Sequence, residues 1–331
     1  MIHIHGIGHA HPPNVITNVF LESLDIGADS SWIHERTGII ERRTALDLDY
    51  ISSTHNVDPR AAREACVVTS TQVAIEAGGL ALQRSGLGAN DIGLVIVGGC
   101  SPELSIPAES SRLSAAFGIS GLAFDVSSAC SSLAAQMFVV DSWKPERLPD
   151  FVMLISTEMF TRAVNYSDRR VAALFGDGAS AVVISTKHPS NYQVTEIIYG
   201  TDSAGWNLIT NPSGGHFVQD GRAVQRFAIR KTLEVRNELS AQSAAIANDS
   251  YLFIGHQANL RMLESICRLG DIPSLHHRAN VDQFGNCGAA GAPSVMSECW
   301  DELAGRVTDV VVVGAGLSWG GFRIASRHCK N

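Results

Sequence analysis

Hydrophobic residues in this chain gather in short runs that are apolar at every position: Leu94-Val95-Ile96-Val97, Phe151-Val152-Met153-Leu154-Ile155, Ala181-Val182-Val183-Ile184, Tyr251-Leu252-Phe253-Ile254 and Val310-Val311-Val312-Val313. A strand with one wet face alternates, whereas a run without polar interruption suits a strand covered on both faces. Between the runs, residues 67–85 and 223–245 carry the spacing and composition of helices. Strands alternating with helices predict a layered α/β fold. The opening Met1-Ile2-His3-Ile4-His5-Gly6-Ile7-Gly8 alternates and reads as an edge strand. Helix, buried strand ending in small residues, then further strands occur in that order on both sides of residue 188. The expected organisation is therefore two duplicated α/β halves, 1–188 and 189–331, with no low-complexity linker to separate them.

One segment breaks the pattern in a chemically suggestive way. Asp125-Val126-Ser127-Ser128-Ala129-Cys130-Ser131-Ser132-Leu133-Ala134-Ala135 sets a cysteine among small residues where a strand gives way to a helix. Cys130 is expected in the first turn of that helix, where unpaired amides and the positive dipole end favour a thiolate. Small neighbours leave room for a substrate to reach the sulfur.

Bulk properties narrow the choices. The chain has 331 residues, of which 45% are hydrophobic and 18% charged, as in an ordinary globular enzyme with a large core. Its start lacks the basic segment and long apolar run of a signal peptide, and no stretch is apolar for long enough to cross a bilayer. Seven cysteines, at 66, 100, 130, 267, 287, 299 and 329, form an odd set without a CxxC pair. That spacing opposes both a disulfide framework and a zinc site, so a reducing cytoplasm is the expected setting. A formal charge of −8 disfavours general nucleic-acid binding. Against that acidic background, Arg222, Arg226 and Arg230 fall on one helical face, with Lys231 beside them, and Arg261 and Arg268 lie on another helix. Such a stripe is either a solvated face or a landing site for an acidic partner.

The glycine-rich segments Gly176-Asp177-Gly178-Ala179-Ser180-Ala181, Gly285-Asn286-Cys287-Gly288-Ala289-Ala290-Gly291 and Gly314-Ala315-Gly316-Leu317-Ser318-Trp319-Gly320-Gly321 do not fit a Walker loop, and no βαβ unit follows the last. ATP and nicotinamide chemistry are disfavoured. His256 follows a strand and Asn286 sits in a glycine turn; each alone reads as structural.

Taken together, Cys130, the Gly255-His256-Gln257-Ala258-Asn259-Leu260-Arg261 stretch, Gly285-Asn286 and the terminal Gly-x-Gly-x-x-Trp-Gly resemble the β-ketoacyl-acyl carrier protein synthase III family of the thiolase superfamily. Trp32-Ile33 followed by Arg36-Thr37-Gly38-Ile39, and Phe175-Gly176-Asp177-Gly178-Ala179, fit the same resemblance, which spans essentially the whole chain. It implies a thiolase-like α-β-α-β-α fold. It also implies that Cys130 takes a primer acyl group from a thioester, with the amides of Cys130 and Ala315 as oxyanion hole. His256 and Asn286 would hold the thioester carbonyl of malonyl-acyl carrier protein and stabilise the enolate left by decarboxylation. Trp32, Arg36, Arg169 and Asn259 would contact coenzyme A. Arg222, Arg226, Arg230, Arg261 and Arg268 would receive the carrier protein, and Ile106, Leu133 and Phe175 would shape the acyl pocket. A homodimer is implied, and no metal or redox cofactor.

Several positions depart from housekeeping members of that family. Arg170 stands where glycine is common, Arg222 where a small polar residue is usual, and Leu133 replaces an aromatic. Ile106 occupies a place where a partner-subunit phenylalanine often limits the acyl pocket, and the segment from Ser203 through Gly221 is short. These point to a specialised synthase with an unusual primer, such as a dicarboxylic one. Two rivals share the fold: an acyltransferase that passes the acyl group to an alcohol or amine, and a catalytically silent partner subunit of a heterodimer.

Overall fold

The computed structural model describes residues 1–241 and 250–326. The strands are β1 (Ile2–Ala10), β2 (Asn14–Thr17), β3 (Glu41–Thr44), β4 (Ile92–Gly98), β5 (Leu122–Asp125), β6 (Phe151–Glu158) and β7 (Gly178–Ser185), then β8 (Tyr192–Thr201), β9 (Ile209–Thr210), β10 (Val218–Gln219), β11 (Tyr251–Gly255), β12 (His277–Arg278), β13 (Val307–Gly314) and β14 (Ser318–Ser326). The helices are α1 (Asn18–Ser23), α2 (Ser30–Thr37), α3 (Leu48–Thr54), α4 (Ser70–Ser85), α5 (Glu109–Phe117) and α6 (Ser132–Asp141), then α7 (Arg169–Ala172), α8 (Gly221–Ala241), α9 (Leu260–Leu269), α10 (Val281–Phe284) and α11 (Gly291–Glu298).

All five fully apolar runs became strands: β4, β6, β7, β11 and β13. Ten strands form the main sheet in the order β12-β11-β13-β14-β8-β1-β7-β6-β4-β5. Reading outward from the centre, the first five strands of the chain in this sheet and the last five follow the same internal order. Side-chain packing turns the sheet into layers. Helices α4 and α5 cover the outer face of the first five strands through Val73, Ala77, Ala81 and Leu113. Helices α8 and α9 cover the outer face of the last five through Phe227, Val235, Leu239 and Met262. Between the two groups lies a single core in which Leu133, Ala134 and Met137 of α6 and Ala292, Val295 and Met296 of α11 meet strand residues of both halves, including Ile4, Leu154, Val182, Ile254, Val310 and Phe322. The result is a thiolase-like α-β-α-β-α arrangement, its two five-stranded groups joined by hydrogen bonding between β1 and β8 at Ile2↔Val194, His3↔Gln193 and Ile4↔Tyr192.

The opening strand is not an edge. β1 sits at the centre of the sheet, paired with β7 on one side and β8 on the other. Its alternation arises because one face meets α4 at very short range: a Cβ on Gly8 would lie 2.0 Å from the Ala77 carbonyl oxygen. The small residue is demanded by helix–strand contact, not by solvent. The helix expected over 67–85 starts at Ser70, because Thr69 and Gln72 form a reciprocal cap there. The helix expected over 223–245 starts at Gly221 and is described to Ala241; its remaining positions, 242–245, lie outside the described residues, as does Cys329. The six described cysteines are all free thiols.

Candidate active site

Parallel pairing of β5, β4 and β6 gathers whatever follows their carboxyl ends at one edge. That edge holds Cys100 after β4, Cys130 after β5 and Glu158 at the end of β6. In the second half β11 and β13 are also parallel and adjacent, and His256, Gly314 and Ala315 beyond their ends line the same cavity. These ends border one cavity of about 260 Å³ whose walls include Cys100, Cys130, His256, Asn286, Ala315 and Phe175. Apolar side chains such as Phe160, Phe217, Phe227 and Met262 supply much of the remainder.

The cysteine is not in the first helical turn. Helix α6 begins at Ser132 with Ser131 as its cap, so Cys130 stands just ahead of it, after Ala129 at φ 47°. A left-handed alanine is a strained position that the surroundings must enforce. Here they do so with hydroxyls from both halves. Ser128 Oγ bonds Tyr199 Oη at 2.7 Å and Ser131 Oγ at 2.9 Å. Ser131 Oγ donates to Ser318 Oγ at 2.8 Å, and Ser318 Oγ reaches the Ser128 and Ala315 carbonyls at 3.3 and 2.9 Å. β13 comes so close that a Cβ on Gly314 would lie 3.0 Å from the Cys130 amide nitrogen. The Cys130 thiol is held well below the ordinary cysteine value. The first cause is a side-chain hydrogen bond with Cys100; burial opposes it, and His256 adds further stabilisation.

His256 is 7% exposed, and its Nδ1 has no hydrogen-bond partner among the described residues. Asn286 is 8% exposed and is fixed by its own backbone, which donates to Leu174 O at 2.8 Å and accepts from Gly176 N at 3.2 Å. Its Oδ1 accepts from Gly288 N at 3.0 Å, which leaves the amide Nδ2 as the end free to donate to a ligand. Glu158 was not anticipated from the sequence. It is fully buried and accepts from the amides of Cys100 and Ala289 and from Ser101 Oγ. Burial first, and the Cys130 charge second, push its carboxyl up to about 7.

Other anticipated residues fall in three places. Trp32, Arg36 and Arg169 come together: both guanidinium carbons lie over the indole, at 5.2 and 5.0 Å. Arg222, Arg226 and Arg230 are exposed along α8, while Val224, Phe227 and Ala228 of the same helix line the cavity. Arg230 is paired with Glu234 at 2.9 Å. Arg261 pairs with Glu264 and donates to the carbonyls of His34 and Glu35, tying α9 to α2, and Arg268 is exposed. One residue is placed differently from the expectation. Leu133 is 2% exposed and belongs to the central core, not the cavity wall, because α6 is wedged between the two five-stranded groups. Ile106 is 85% exposed on the surface of the single chain and does not line the cavity. Asn259 caps α9, its side chain accepting from Met262 N at 2.8 Å. The Gly176-Asp177-Gly178 turn is likewise structural: Asp177 accepts from the amides of Ala45 and Thr161 at 2.8 Å each.

A duplicated five-layer fold with a cysteine, a histidine and an asparagine on one largely apolar cavity defines the thiolase-like class of acyl-transferring enzymes. Residues 124–203 match the model of the 3-oxoacyl-[acyl-carrier-protein] synthase III family, and residues 241–325 match that of its C-terminal region. The β-ketoacyl-[acyl-carrier-protein] synthase III of Syntrophomonas wolfei is 30% identical, covering 97% of this chain and 96% of its own. That of a Roseiflexus species is 30% identical over 95% of each. The crystal structure of the Aquifex aeolicus 3-oxoacyl-[acyl-carrier-protein] synthase III superposes with a TM-score of 0.85 at 28% identity, covering 98% of this chain and 99% of that one. The chain belongs to the β-ketoacyl-[acyl-carrier-protein] synthase III family, and it is an acyltransferase of the condensing type.

Proposed function

We propose that the chain carries out a two-step decarboxylative Claisen condensation between an acyl-coenzyme A primer and malonyl-acyl carrier protein. In the first step Cys130 Sγ bonds the acyl carbon, and the bond to the coenzyme A sulfur breaks, its electron pair leaving on that sulfur. The amides of Cys130 and Ala315 take the charge of the tetrahedral intermediate. In the second step the malonyl carboxylate leaves as carbon dioxide. Its bonding pair becomes an enolate, whose oxygen receives hydrogen bonds from His256 and Asn286. The enolate carbon then attacks the acyl carbon, and Cys130 is released as thiolate. No step calls for a metal or redox group.

The observation that carries this reading is the convergence of Cys130, His256 and the donor end of Asn286 on one cavity. The acyl chain would lie among Phe160, Phe175 and Phe217. The exposed arginines of α8, on the helix that lines the cavity, suit an acidic carrier protein, and the Trp32–Arg36–Arg169 group suits the coenzyme A nucleotide and its phosphates. A homodimer would let the exposed Ile106 of one chain approach its partner's pocket. The short segment after Ser203 supplies Ile209, Thr210, Asn211, Phe217 and Gln219 to the wall, and supports a specialised primer.

The test is intact-protein mass spectrometry with a panel of acyl-coenzyme A primers, repeated with Cys130→Ala and then with malonyl-acyl carrier protein. The expected result is an adduct on Cys130 that is discharged into a β-ketoacyl-carrier product. An adduct discharged only by alcohols or amines would replace this reading with a simple acyltransferase. No adduct from any thioester would leave a silent partner subunit. Changing His256 or Asn286 to Ala should lower condensation at least about a hundredfold while part of the self-acylation survives. Equal loss of both half-reactions would contradict the division of roles.

A further inference from the structure

Glu158 has no part in the reaction as set out above, yet it stands where three segments meet. It ends β6, paired with Gly178 of β7, and is fully buried behind the cavity wall rather than in it. From the first half, the Cys100 amide donates to both carboxyl oxygens at 3.0 Å each, and Ser101 Oγ donates to Oε2 at 2.7 Å. From the second half, Ala289 N donates to Oε1 at 3.2 Å. The turn that carries Ala289 is pressed against the carboxyl. A Cβ on Gly288, at φ 54°, would lie 2.8 Å from Glu158 Oε1 and closer still to the Phe160 ring. Glycine is required there on both counts.

The same turn sets the direction of Asn286. Its backbone is fixed by Leu174 and Gly176. Its side chain has one hydrogen bond among the described residues, accepted by Oδ1 from Gly288 N at 3.0 Å. A side-chain amide has two ends of similar shape and opposite character, one accepting and one donating. The Gly288 N–H selects the end that faces the turn and so leaves Nδ2 for the cavity. Gly288 N and Ala289 N belong to consecutive peptides, and the second of them meets Glu158.

We propose that Glu158 is the positioning residue for Asn286: by accepting from Ala289 N it fixes the Gly288 amide, which keeps the donor end of Asn286 toward the enolate. The inference rests on Asn286 acting as an enolate donor, as proposed above. Glu158 touches no substrate and exchanges no proton in this role. Without its acceptor the Gly288–Ala289 turn loses this tie to the first half, and the Asn286 amide can reverse. A reversed amide aims lone pairs at the enolate oxygen. The second half-reaction then suffers and the first does not.

The experiment measures the two half-reactions separately in the parent, Glu158→Ala, Glu158→Gln, Asn286→Ala and Glu158→Ala combined with Asn286→Ala. Acylation of Cys130 is followed by intact-protein mass spectrometry, and condensation by the β-ketoacyl-carrier product formed from pre-acylated protein. Glu158→Ala should slow condensation about tenfold or more, as when a reacting group is misplaced, and leave acylation largely intact. Glu158→Gln should recover most of the rate, because its carbonyl oxygen can accept from Ala289 N while its NH2 faces Ser101 Oγ. In the Asn286→Ala background Glu158→Ala should cost nothing further, since its effect passes through that side chain. Losses that multiply in the double variant would overturn the proposal. So would equal loss of both half-reactions in Glu158→Ala, or a Glu158→Gln as slow as Glu158→Ala. Should Glu158→Ala not fold, Glu158→Asp takes its place: its carboxyl stops one methylene short of the Ala289 amide, and the same split is expected. Failure of the synthase reading looks different. The parent would then form no β-ketoacyl product, or Asn286→Ala would condense as fast as the parent.

Discussion

The turn that carries Cys130 is held by hydroxyls rather than by its helix. Ser318 is 2% exposed and its Oγ touches Ser131, Ser128 and Ala315. Ser318→Ala removes the bonds to Ser131 Oγ and to the carbonyls of Ser128 and Ala315, which costs about 1–3 kcal/mol. Urea unfolding should show that loss, and the rate of Cys130 acylation should fall with it because Ala129 is no longer held in its left-handed conformation. A second residue-scale prediction concerns pH. Burial raises the Glu158 carboxyl to about 7 in the folded protein, above its unfolded value, so the folded state binds this proton more tightly. The contribution is fully present below the unfolded value and is lost as pH rises through about 7. Glu158→Gln cannot ionise. The stability of this variant relative to the parent should therefore increase from pH 4.5 to about 7 and level off above it, whatever constant offset its altered hydrogen bonds impose. A flat difference across that range would show that Glu158 does not titrate there.

At the scale of elements, α8 combines two roles on two faces. Its apolar side lines the cavity and its arginines face outward. Arg222→Glu with Arg226→Glu should raise the KM for malonyl-acyl carrier protein about tenfold or more at low salt, with less effect as salt increases and little change in Tm. An unchanged KM would place the carrier elsewhere. Asn259→Ala should cost about 1 kcal/mol through loss of the α9 cap, measured by thermal unfolding. The same scale explains what the sequence made legible. Fully apolar runs identified β4, β6, β7, β11 and β13, because a strand buried on both faces carries no polar signal to confuse it. β8 and β14 mix Tyr, Gln, Glu, Arg and Ser with their apolar positions and show no such run. β1 misled because glycines that accommodate α4 look like polar alternation. Cys130, His256 and Asn286 were legible through motifs that surround each of them. Cys100 and Glu158 were not, because each lies about 30 residues from Cys130 and only the parallel pairing of β5, β4 and β6 brings them to it.

For the molecule as a whole, the decisive feature is the middle layer. α6 and α11 each pack against strands of both halves, and one hydrophobic core contains residues from the whole length of the described chain. Unfolding should accordingly be a single cooperative transition, coincident by fluorescence and circular dichroism. A fragment of residues 1–188 made alone should not fold, since α6 and the inner sheet face would be bare; a native-like circular dichroism spectrum with sharp melting from that fragment would refute this. The middle layer also sets where the protein can change over evolutionary time. A side chain on α6 must satisfy both five-stranded groups at once, and Ser132, Leu133, Ala134, Ala135, Gln136, Met137 and Val140 are all buried there. α4 and α8 answer to one group each, and the hairpin of β9 and β10 stands outside the main sheet. Freedom to drift is least beside Cys130 and greatest in the segment between Ser203 and Gly221, so the cavity wall can be rewritten there while the layer behind Cys130 stays fixed.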